Sequence, residues 1–241
     1  MTALEAVGLT VAPEEFVAIL GPSGCGKSTL LSIIAGLLPP SRGRVFLEGE
    51  RRPGQPLTAT VFQEFALLPW RTVAANVELG LEELGVPARE RAARARSYLD
   101  LTGLAGFEGK YPHQLSGGMR QRVGLARALA VDPAVLLMDE PFSALDAQTR
   151  TLLMDELLAI WERTRKSIVY VTHNIQEAVF MADRVVVLSR RPGRVLEVVP
   201  VGLARPRKES VYGEAAFLEA TDRIWGLIKS QAEAALRDGA P

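Results

Sequence analysis

The sequence predicts an α/β fold in which a mostly parallel core sheet carries helices on both of its faces. Three short apolar runs, residues 16–20, 135–138 and 168–171, alternate with stretches of helical periodicity. That alternation is typical of parallel strands joined by helices. Because the ligands of open parallel sheets bind at the carboxyl ends of the strands, we expect the chemistry in the residues directly after each run.

A phosphate-binding loop follows the first run. Residues 21–28 match the pattern G-x-x-x-x-G-K-[ST] completely. Glycines let backbone N–H groups approach phosphates, and a helix that starts near Lys27 directs the positive end of its dipole at them. Lys27 adds a charge for the outer phosphates, and the Ser28 hydroxyl can ligate Mg²⁺. The sequence therefore predicts a nucleoside triphosphate site formed by Gly21, Pro22, Ser23, Gly24, Cys25, Gly26, Lys27, Ser28 and Thr29.

Two acids follow the second run. Asp139 and Glu140 come directly after the apolar residues 135–138, at the tip of a predicted buried strand. In a chain that carries a phosphate loop, we expect Asp139 to hold Mg²⁺. We expect Glu140 to orient and deprotonate the water that attacks the γ-phosphate.

A second glycine-rich helix start lies at residues 115–122, which read Leu-Ser-Gly-Gly-Met-Arg-Gln-Arg. Ser116 can cap the following helix, while Gly117 and Gly118 expose backbone donors to an anion. This segment resembles the signature sequence of the ATP-binding cassette family, the motor subunits of ABC transporters.

Three further segments resemble motifs of that family, in the same order along the chain. Gln63 resembles the glutamine that touches Mg²⁺ and the attacking water. Residues 143–146 resemble the loop through which two protomers communicate, and they end in Asp146, which we assign to the nucleotide site. His173 resembles the switch histidine that contacts the γ-phosphate. The resemblance implies catalytic roles for Lys27, Gln63, Glu140 and His173, and Mg²⁺ ligation by Ser28, Gln63 and Asp139.

The resemblance implies a single ABC ATPase domain over residues 1–241 that binds and hydrolyses ATP. Its core is expected to be a P-loop NTPase (RecA-like) sheet with an antiparallel β portion, over residues 1–71 and 131–195. A helical subdomain over residues 72–130 would carry the signature, and residues 196–241 would form a C-terminal extension. Two chains are expected to form a homodimer with ATP bound, in which Ser116, Gly117 and Gly118 act in trans.

The resemblance also implies partners. In ABC transporters an integral-membrane permease receives the motion, through a helix that sits in a groove beside the glutamine loop. Phe65, Leu68 and Trp70 are candidates to line that groove, and burial in the subdomain core is an equal interpretation of Trp70.

Residues 67–70, 76–81 and 191–194 resemble the nitrate, sulfonate and taurine branch of bacterial importers. The chain is then expected in the cytoplasm, peripheral on the inner face of the cell membrane. A periplasmic or extracellular substrate-binding protein would be an indirect partner, and the transported molecule would be selected outside this subunit.

The start of the sequence departs from the family. Relatives place an aromatic residue that stacks on adenine before the segment matched here by residues 3–7, whereas the first aromatic residue here is Phe16. We hypothesise that the sequence starts at an internal methionine, or that ATP is held mainly through its phosphates. Glu14 stands where the family commonly has glycine; if that position has a positive φ, glutamate costs about 1 kcal/mol there.

Composition disfavours several classes of protein. Lys plus Arg and Asp plus Glu both number 28, so the formal charge is zero, which argues against a nucleic-acid partner. No signal peptide is evident, and no apolar stretch reaches the length of about 18 residues that indicates a membrane span. The one cysteine, Cys25, excludes an internal disulfide and suits the cytoplasm. For Cys25, a small residue that fits the loop is a simpler interpretation than a redox sensor.

Two further helices are predicted at residues 88–101 and 215–236. The first is rich in arginine, and its exposed face would be solvated or would contact a partner. That face would contain Arg89, Arg91, Arg94 and Arg96. His113, the only histidine besides His173, receives no catalytic role.

Two alternatives to an importer ATPase were weighed. ABC ATPases of DNA repair carry long coiled-coil insertions and those of translation usually carry two cassettes, and neither feature is present here. The other alternative is a nucleotide-binding regulatory subunit with weakened adenine recognition. The presence of Glu140, His173 and the full signature argues against it, since a subunit that does not hydrolyse ATP has no need of the attacking base.

Overall fold

The computed structural model describes residues 2–48 and 55–237. The chain divides into two compact units, one formed by Met1–Val45 with Ser167–Pro241 and the other by Phe46–Lys166. In chain order the elements are β1 (Phe16–Leu20), α1 (Lys27–Ile34), β2 (Thr58–Val61), α2 (Val73–Glu83), α3 (Ala88–Leu101), α4 (Gly117–Ala130), β3 (Val135–Asp139), α5 (Ala147–Thr164), β4 (Ser167–Thr172), α6 (Ile175–Met181), β5 (Arg184–Leu188), β6 (Val195–Pro200) and α7 (Ala215–Arg237).

Four strands form the sheet of the first unit. β1 pairs in parallel with β4 on one side, from Phe16↔Ile168 to Leu20↔Thr172, and with β5 on the other. β6 pairs antiparallel with β5. Every residue of β1 and β4 is buried, as expected for apolar strands covered on both faces. β1 confirms the strand predicted at residues 16–20, and β4 contains the run at residues 168–171.

β6 is a strand that the sequence analysis missed. The chain from residue 189 shows no periodicity strong enough to predict it, and along the strand the side chains alternate between half-buried and exposed before Val199 is buried. Its two exposed apolar side chains, Leu196 and Val198, lie on one face of the strand. A short edge strand of this kind is specified by pairing with β5 more than by its own composition.

The second unit contains the parallel pair β2–β3 and a helical core. β3 contains the predicted run at residues 135–138. Helices α2, α3 and α4 bury one apolar cluster between them, which consists of Val73, Val77, Leu81, Ala95, Leu99, Leu104, Leu115, Val123, Ala126, Ala130 and Val131. Trp70 does not join this cluster: it is 72% exposed, so its interpretation as a core residue is wrong.

α3 has the bounds predicted for the arginine-rich helix, and only Ala95 and Leu99 are buried on it. Arg89, Arg94 and Arg96 are exposed, as predicted. Arg91 is half-buried instead, because its guanidinium donates to the carbonyl oxygen of Val86 (3.0 Å) and faces the carboxylate of Glu78 at 3.5 Å. The solvated face of this helix is therefore narrower than the arginine pattern indicates.

α7 confirms the helix predicted at residues 215–236. It packs on α6 and β6 of the first unit through Phe217, Ala220 and Ile224, which are buried. Within residues 2–48 and 55–237, no helix combines the length and the apolar character needed to cross a membrane.

Candidate nucleotide site

The loop after β1 has the backbone geometry that its glycines permit. Gly24 has φ 75° and Gly26 has φ 107°, both in the region that side chains other than glycine rarely adopt. α1 begins at Lys27 with Gly26 as its N-cap, and the Leu30 N–H donates to the Gly26 carbonyl oxygen at 2.8 Å. The loop thus ends at a helix N-terminus whose first N–H groups have no partner within the helix, the arrangement that binds phosphate.

Lys27 is held by the loop itself. Its side chain is only 6% exposed, and its ammonium group donates to the carbonyl oxygens of Gly21 (2.9 Å) and Pro22 (3.2 Å). A buried positive charge of this kind favours an anionic partner. The hydroxyl-bearing side chain of Ser28 is exposed beside it.

Cys25 is buried within the loop. Burial raises the pKa of its thiol, and the nearby charge of Lys27 opposes this shift without reversing it. A thiol that is both buried and protonated is a poor nucleophile. The structure therefore favours the interpretation of Cys25 as a small packing residue over that of a redox sensor.

The beginning of the chain packs against the phosphate loop, a contact that the sequence analysis missed. The N–H of Gly193 donates to the carbonyl oxygen of Ala3 (2.8 Å), and the N–H of Glu5 donates to that of Gly193 (2.9 Å). Between these bonds, Leu4 lies so close to Gly26 that a Cβ atom there would be 2.8 Å from Leu4 Cδ2. The glycine in the turn at residues 190–194 was the feature of the sequence that could have indicated this contact.

His173 lies next to the phosphate loop because of strand register. β1 and β4 run in parallel with Leu20 opposite Thr172, so Gly21 and His173 follow neighbouring strands at the same edge of the sheet. His173 is exposed. The structure thus brings together the two predicted site regions of the first unit.

The turn that carries His173 is anchored by a buried carboxylate, Glu177, which the sequence analysis did not select. Glu177 accepts hydrogen bonds from the hydroxyls of Tyr170 (3.0 Å) and Thr172 (2.8 Å). Asn174 caps α6 by accepting from the Glu177 N–H at 3.2 Å. Asn174 followed three residues later by Glu177 is a helix-start pattern, which was a usable signal.

In the second unit, the register of the paired strands also brings predicted site residues together. β2 and β3 pair in parallel with Val61 opposite Met138. Gln63 therefore emerges at the same edge as Asp139 and Glu140, which are half-buried. Glu140 has φ 44°, an unusual backbone conformation for glutamate.

The strained backbone at Glu140 is held by the residue that opens the next loop. The carbonyl oxygen of Glu140 accepts from both the N–H (3.1 Å) and the hydroxyl (2.9 Å) of Ser143. Non-glycine residues with positive φ persist only where their surroundings hold them, and they cluster at functional sites.

The signature segment lies beside Asp146 in the same unit. Ser116 caps α4 by accepting from the Met119 N–H at 3.3 Å. A Cβ atom on Gly117 would lie 3.3 Å from Leu145, so the start of α4 closely approaches the loop before α5. Asp146 caps α5 by accepting from the Thr149 N–H at 2.9 Å, and this bond holds the pKa of its carboxyl below the usual value.

The predicted metal ligands offer donors of one chemical kind. Ser28 supplies a hydroxyl, Gln63 an amide oxygen and Asp139 a carboxylate. Among the residues that the structure describes, no group of three or more His, Cys, Asp and Glu side chains could hold a metal ion. A small number of protein ligands, all of them oxygen atoms, suits Mg²⁺, because this ion keeps several water ligands and binds the phosphates of its substrate. The residues present therefore fit this ion.

A strand–loop–helix phosphate site, in a chain that also carries a pair of acids at the end of a further parallel strand, defines a phosphate-loop nucleotide-binding protein of the α/β class. The chain belongs to the ABC transporter family, whose model matches residues 4–143. The resemblance predicted from the motifs is thereby confirmed, and so is the fold class. As a member of this family the chain is an ATP-binding ATPase.

Relatives with similar sequences agree with this assignment. The chain is 50% identical over 230 residues to an uncharacterized ABC transporter ATP-binding protein of Methanocaldococcus jannaschii, covering 95% of this chain and 85% of that protein. It is 49% identical over 235 residues to the taurine import ATP-binding protein of Rhizobium johnstonii, covering 95% and 89%.

Solved structures share the fold. One is a dimeric structure of a post-hydrolysis state of an ATP-binding cassette bound to ADP and Pi, 36% identical, with a TM-score of 0.70 over 82% of this chain and 90% of that one. Another is a dimeric bacterial ABC transporter cassette, 37% identical, with a TM-score of 0.71 over 82% and 90%.

Proposed function

We propose that this chain is the ATP-hydrolysing subunit of a bacterial importer and energises the uptake of a small nitrate-, sulfonate- or taurine-like solute through a membrane permease. The observation that carries the proposal is the strand register, which places His173 beside the phosphate loop and Gln63 beside Asp139 and Glu140. The taurine import relatives support the class of solute.

In the first unit, the phosphate loop binds the phosphates of ATP through its backbone N–H groups. The Lys27 ammonium exchanges its bonds to the loop carbonyls for bonds to the outer phosphates. His173, exposed at the neighbouring strand end, contacts the γ-phosphate and reports its presence.

In the second unit, Glu140 accepts a proton from the attacking water, which Gln63 helps to orient. Asp139 and Gln63 would hold Mg²⁺, which when bound neutralises charge on the phosphates. Ser143 holds the backbone of Glu140 in its unusual conformation by donating to its carbonyl oxygen, and this fixes the backbone from which the carboxylate extends.

Two copies of the chain form the active, ATP-bound state. The signature residues Ser116 and Gly117 start a helix at the protein surface and present N–H donors to an anion. We infer that Ser116, Gly117 and Gly118 bind the nucleotide of the partner subunit, next to Asp146. Two dimeric structures of one cassette of similar fold support this arrangement.

We assign a separate role to each of three parts of the chain. Residues 1–71 and 131–195 form the nucleotide-binding core, residues 72–130 the subdomain that carries the signature, and residues 196–241 an extension. Of the three groove candidates, Trp70 is 72% exposed, whereas Phe65 and Leu68 are half-buried. Trp70 and the exposed Phe62 are apolar side chains available to an integral-membrane permease. We infer that the subunit lies on the cytoplasmic face of the membrane, with a substrate-binding protein as an indirect partner and no role for nucleic acid.

Sedimentation of the Glu140→Gln variant tests the proposal. Removal of the base blocks hydrolysis, so Mg-ATP should shift the variant from monomer to dimer, while the nucleotide-free variant stays monomeric. Glu83→Gln, an exposed acid on α2, is the matched control and should hydrolyse ATP and remain monomeric. Monomeric Glu140→Gln protein with Mg-ATP bound would contradict the trans signature, and full ATPase activity of this variant would contradict the role of the base.

A further inference from the structure

α6 is a helix of seven residues that begins two positions after His173. Helices this short are unstable on their own, so their position depends on tertiary contacts. Its N-terminal end is anchored by the contacts of Asn174 and Glu177 described above. What holds its other end decides how firmly the whole segment is placed.

The C-terminal end of α6 is held by two arginines of a segment with no assigned role, the Arg-Pro-Arg sequence at residues 205–207. A helix end leaves backbone carbonyl groups without partners in the helix. Arg205 Nη2 donates to the carbonyl oxygen of Met181 at 2.8 Å. Arg207 Nη1 donates to three more, those of Val179 (3.2 Å), Phe180 (2.9 Å) and Ala182 (2.8 Å).

Arg207 is an unusual arginine because it is only 5% exposed. Burial lowers its pKa to about 10, the charge of Arg205 acts in the same direction, and Asp183 opposes both. The guanidinium therefore remains charged at neutral pH, and the carbonyl oxygens of the α6 end and of Leu203 (3.3 Å) solvate it. A cation at the C-terminal end of a helix also interacts favourably with the helix dipole.

Arg205 connects the same helix end to the strand that leads into the phosphate loop. It donates to Asp183 Oδ1 from Nε (3.0 Å) and Nη2 (2.8 Å). Asp183 Oδ2 accepts from the N–H of Phe16, the first residue of β1, at 2.9 Å. The end of α6 and the start of β1 are thus fixed to one carboxylate.

Aromatic packing holds α6 from the same side. Phe180 of α6 stacks on Tyr212 with ring centroids 5.3 Å apart. Tyr212 in turn meets Phe217 of α7 edge to face at 4.9 Å. The C-terminal extension therefore holds α6 by charge, by hydrogen bonds and by ring contacts.

We propose that Arg207 is a positioning residue for the ATPase reaction: by holding the C-terminal end of α6, it keeps His173 at the edge of the phosphate loop. The extension then serves to rigidify the segment that carries the histidine. The consequence for catalysis rests on the function proposed above for His173, whereas the placement of His173 itself does not.

The protein contains only two histidines, which makes the test simple. In protein labelled with ¹⁵N-histidine, NMR reports on His113 and His173 alone, and a His113→Gln variant assigns the two sets of signals. Arg207→Lys keeps the charge but loses the planar fork that reaches several carbonyl oxygens. Arg223→Lys is the matched control, because Arg223 is exposed in α7 and pairs with Glu197 at 2.8 Å.

We expect Arg207→Lys to shift or broaden the His173 signals and to leave those of His113 unchanged. Its kcat should fall by up to about 100-fold, the cost of a 1 Å misplacement of a catalytic group, while the Kd for ATP stays the same. Arg223→Lys should change neither. Unmoved His173 signals in folded Arg207→Lys protein, with unchanged kcat, would overturn the proposal.

Two further variants separate the possible failures. Tyr212→Leu loosens the aromatic contact with α6 and leaves the buried charge of Arg207 in place. This variant should shift the His173 signals even if Arg207→Lys does not fold. Unchanged His173 signals in Tyr212→Leu would count against the proposal that the C-terminal extension positions His173 through α6. His173→Ala with full kcat would refute the proposed role of His173 in hydrolysis, and the NMR comparison would still decide whether Arg207 positions it.

Discussion

The backbone of Gly193 lies against the carbonyl oxygen of Cys25 so closely that a Cβ atom at position 193 would overlap that oxygen. Gly193 does not have a positive φ, so its backbone conformation does not require glycine. Glycine is required at this position because the space beside the phosphate loop is too small for a side chain. This contact, with the hydrogen bond that Gly193 donates to Ala3 and the one that it accepts from Glu5, makes the turn at residues 190–194 a support for the nucleotide site.

Gly193→Ala should therefore displace the phosphate loop. We expect the substitution to lower the free energy of unfolding by about 1–3 kcal/mol, the usual cost of overpacking, and to weaken ATP binding. Urea unfolding and fluorescence titration with ATP measure the two effects. Gly202→Ala is the control, because a Cβ atom there would have no neighbour within 4 Å. Equal behaviour of the two variants would show that the contact at Cys25 is unimportant.

Gly118 in the signature meets a methyl group of Thr149, since a Cβ atom on Gly118 would lie 2.9 Å from Thr149 Cγ2. Gly118→Ala should destabilise the protein even though alanine favours helix by about 0.5–1 kcal/mol. Thr149→Ser removes the methyl group and leaves the Thr149 N–H bond to Asp146 in place.

In the Thr149→Ser background, Gly118→Ala should become neutral or stabilising, with a coupling of about 1 kcal/mol in the double-mutant cycle by urea unfolding. Additive effects of the two substitutions would mean that another contact excludes side chains at position 118.

Glu14 has φ 60°, the positive φ that the resemblance to the family led us to consider for this position. The left-handed conformation costs a non-glycine residue about 1–2 kcal/mol. Part of the gain from glycine is lost to the entropy of the unfolded chain. Glu14→Gly should therefore raise the free energy of unfolding by up to about 1 kcal/mol.

Ala12→Gly, two residues earlier at a position without positive φ, is the control and should lower the free energy of unfolding by about 0.4–1 kcal/mol. A loss of stability in Glu14→Gly would show that its side chain makes contacts worth more than the backbone strain.

Glu15 makes stability depend on pH. Burial raises the pKa of its carboxyl, but the hydrogen bonds and charge of Arg184 (2.6 Å) and the N–H of Ala12 (2.8 Å) outweigh burial, so the net pKa is lowered from 4.5. A lowered folded-state pKa contributes stability that is present above the unfolded-state value and is lost as the pH falls through the folded-state value.

Glu15→Gln should thus be less stable than the wild type at pH 7, and the difference should shrink as the pH falls below about 4.5. Urea unfolding at a series of pH values measures it. Glu219→Gln, an exposed acid of α7, should match the wild type at neutral pH. A difference in stability that does not vary with pH would rule out the Glu15 carboxylate as its source.

Local patterns predicted much of the fold and the site. β1 and α3 have the predicted bounds, because a buried apolar run and an arginine-rich helix are specified by their own residues. The phosphate loop was predictable for the same reason, since Gly24 and Gly26 supply the positive φ that its turn needs. The roles assigned to Gln63 and Asp139 remain predictions, and so does that of His173, which the His173→Ala variant tests.

Features that depend on distant partners were not predictable. Trp70 is exposed although its size favours burial, β6 forms because β5 is beside it, and Glu177 is buried because two hydroxyls solvate it. None of these partners can be identified from spacing along the chain, because the contacts are made across strands or between elements.

The sequence by itself determined the chemistry of this protein: a phosphate loop, a pair of acids, a capped glycine-rich helix start and a strand-end histidine, each encoded within a few neighbouring residues. The tertiary structure alone decided what holds that chemistry in place. The register of β1 with β4 sets His173 beside Gly21. The carbonyl groups at the end of α6 bind Arg207, because a buried charge and an unsatisfied helix end stabilise each other only when the fold brings them together.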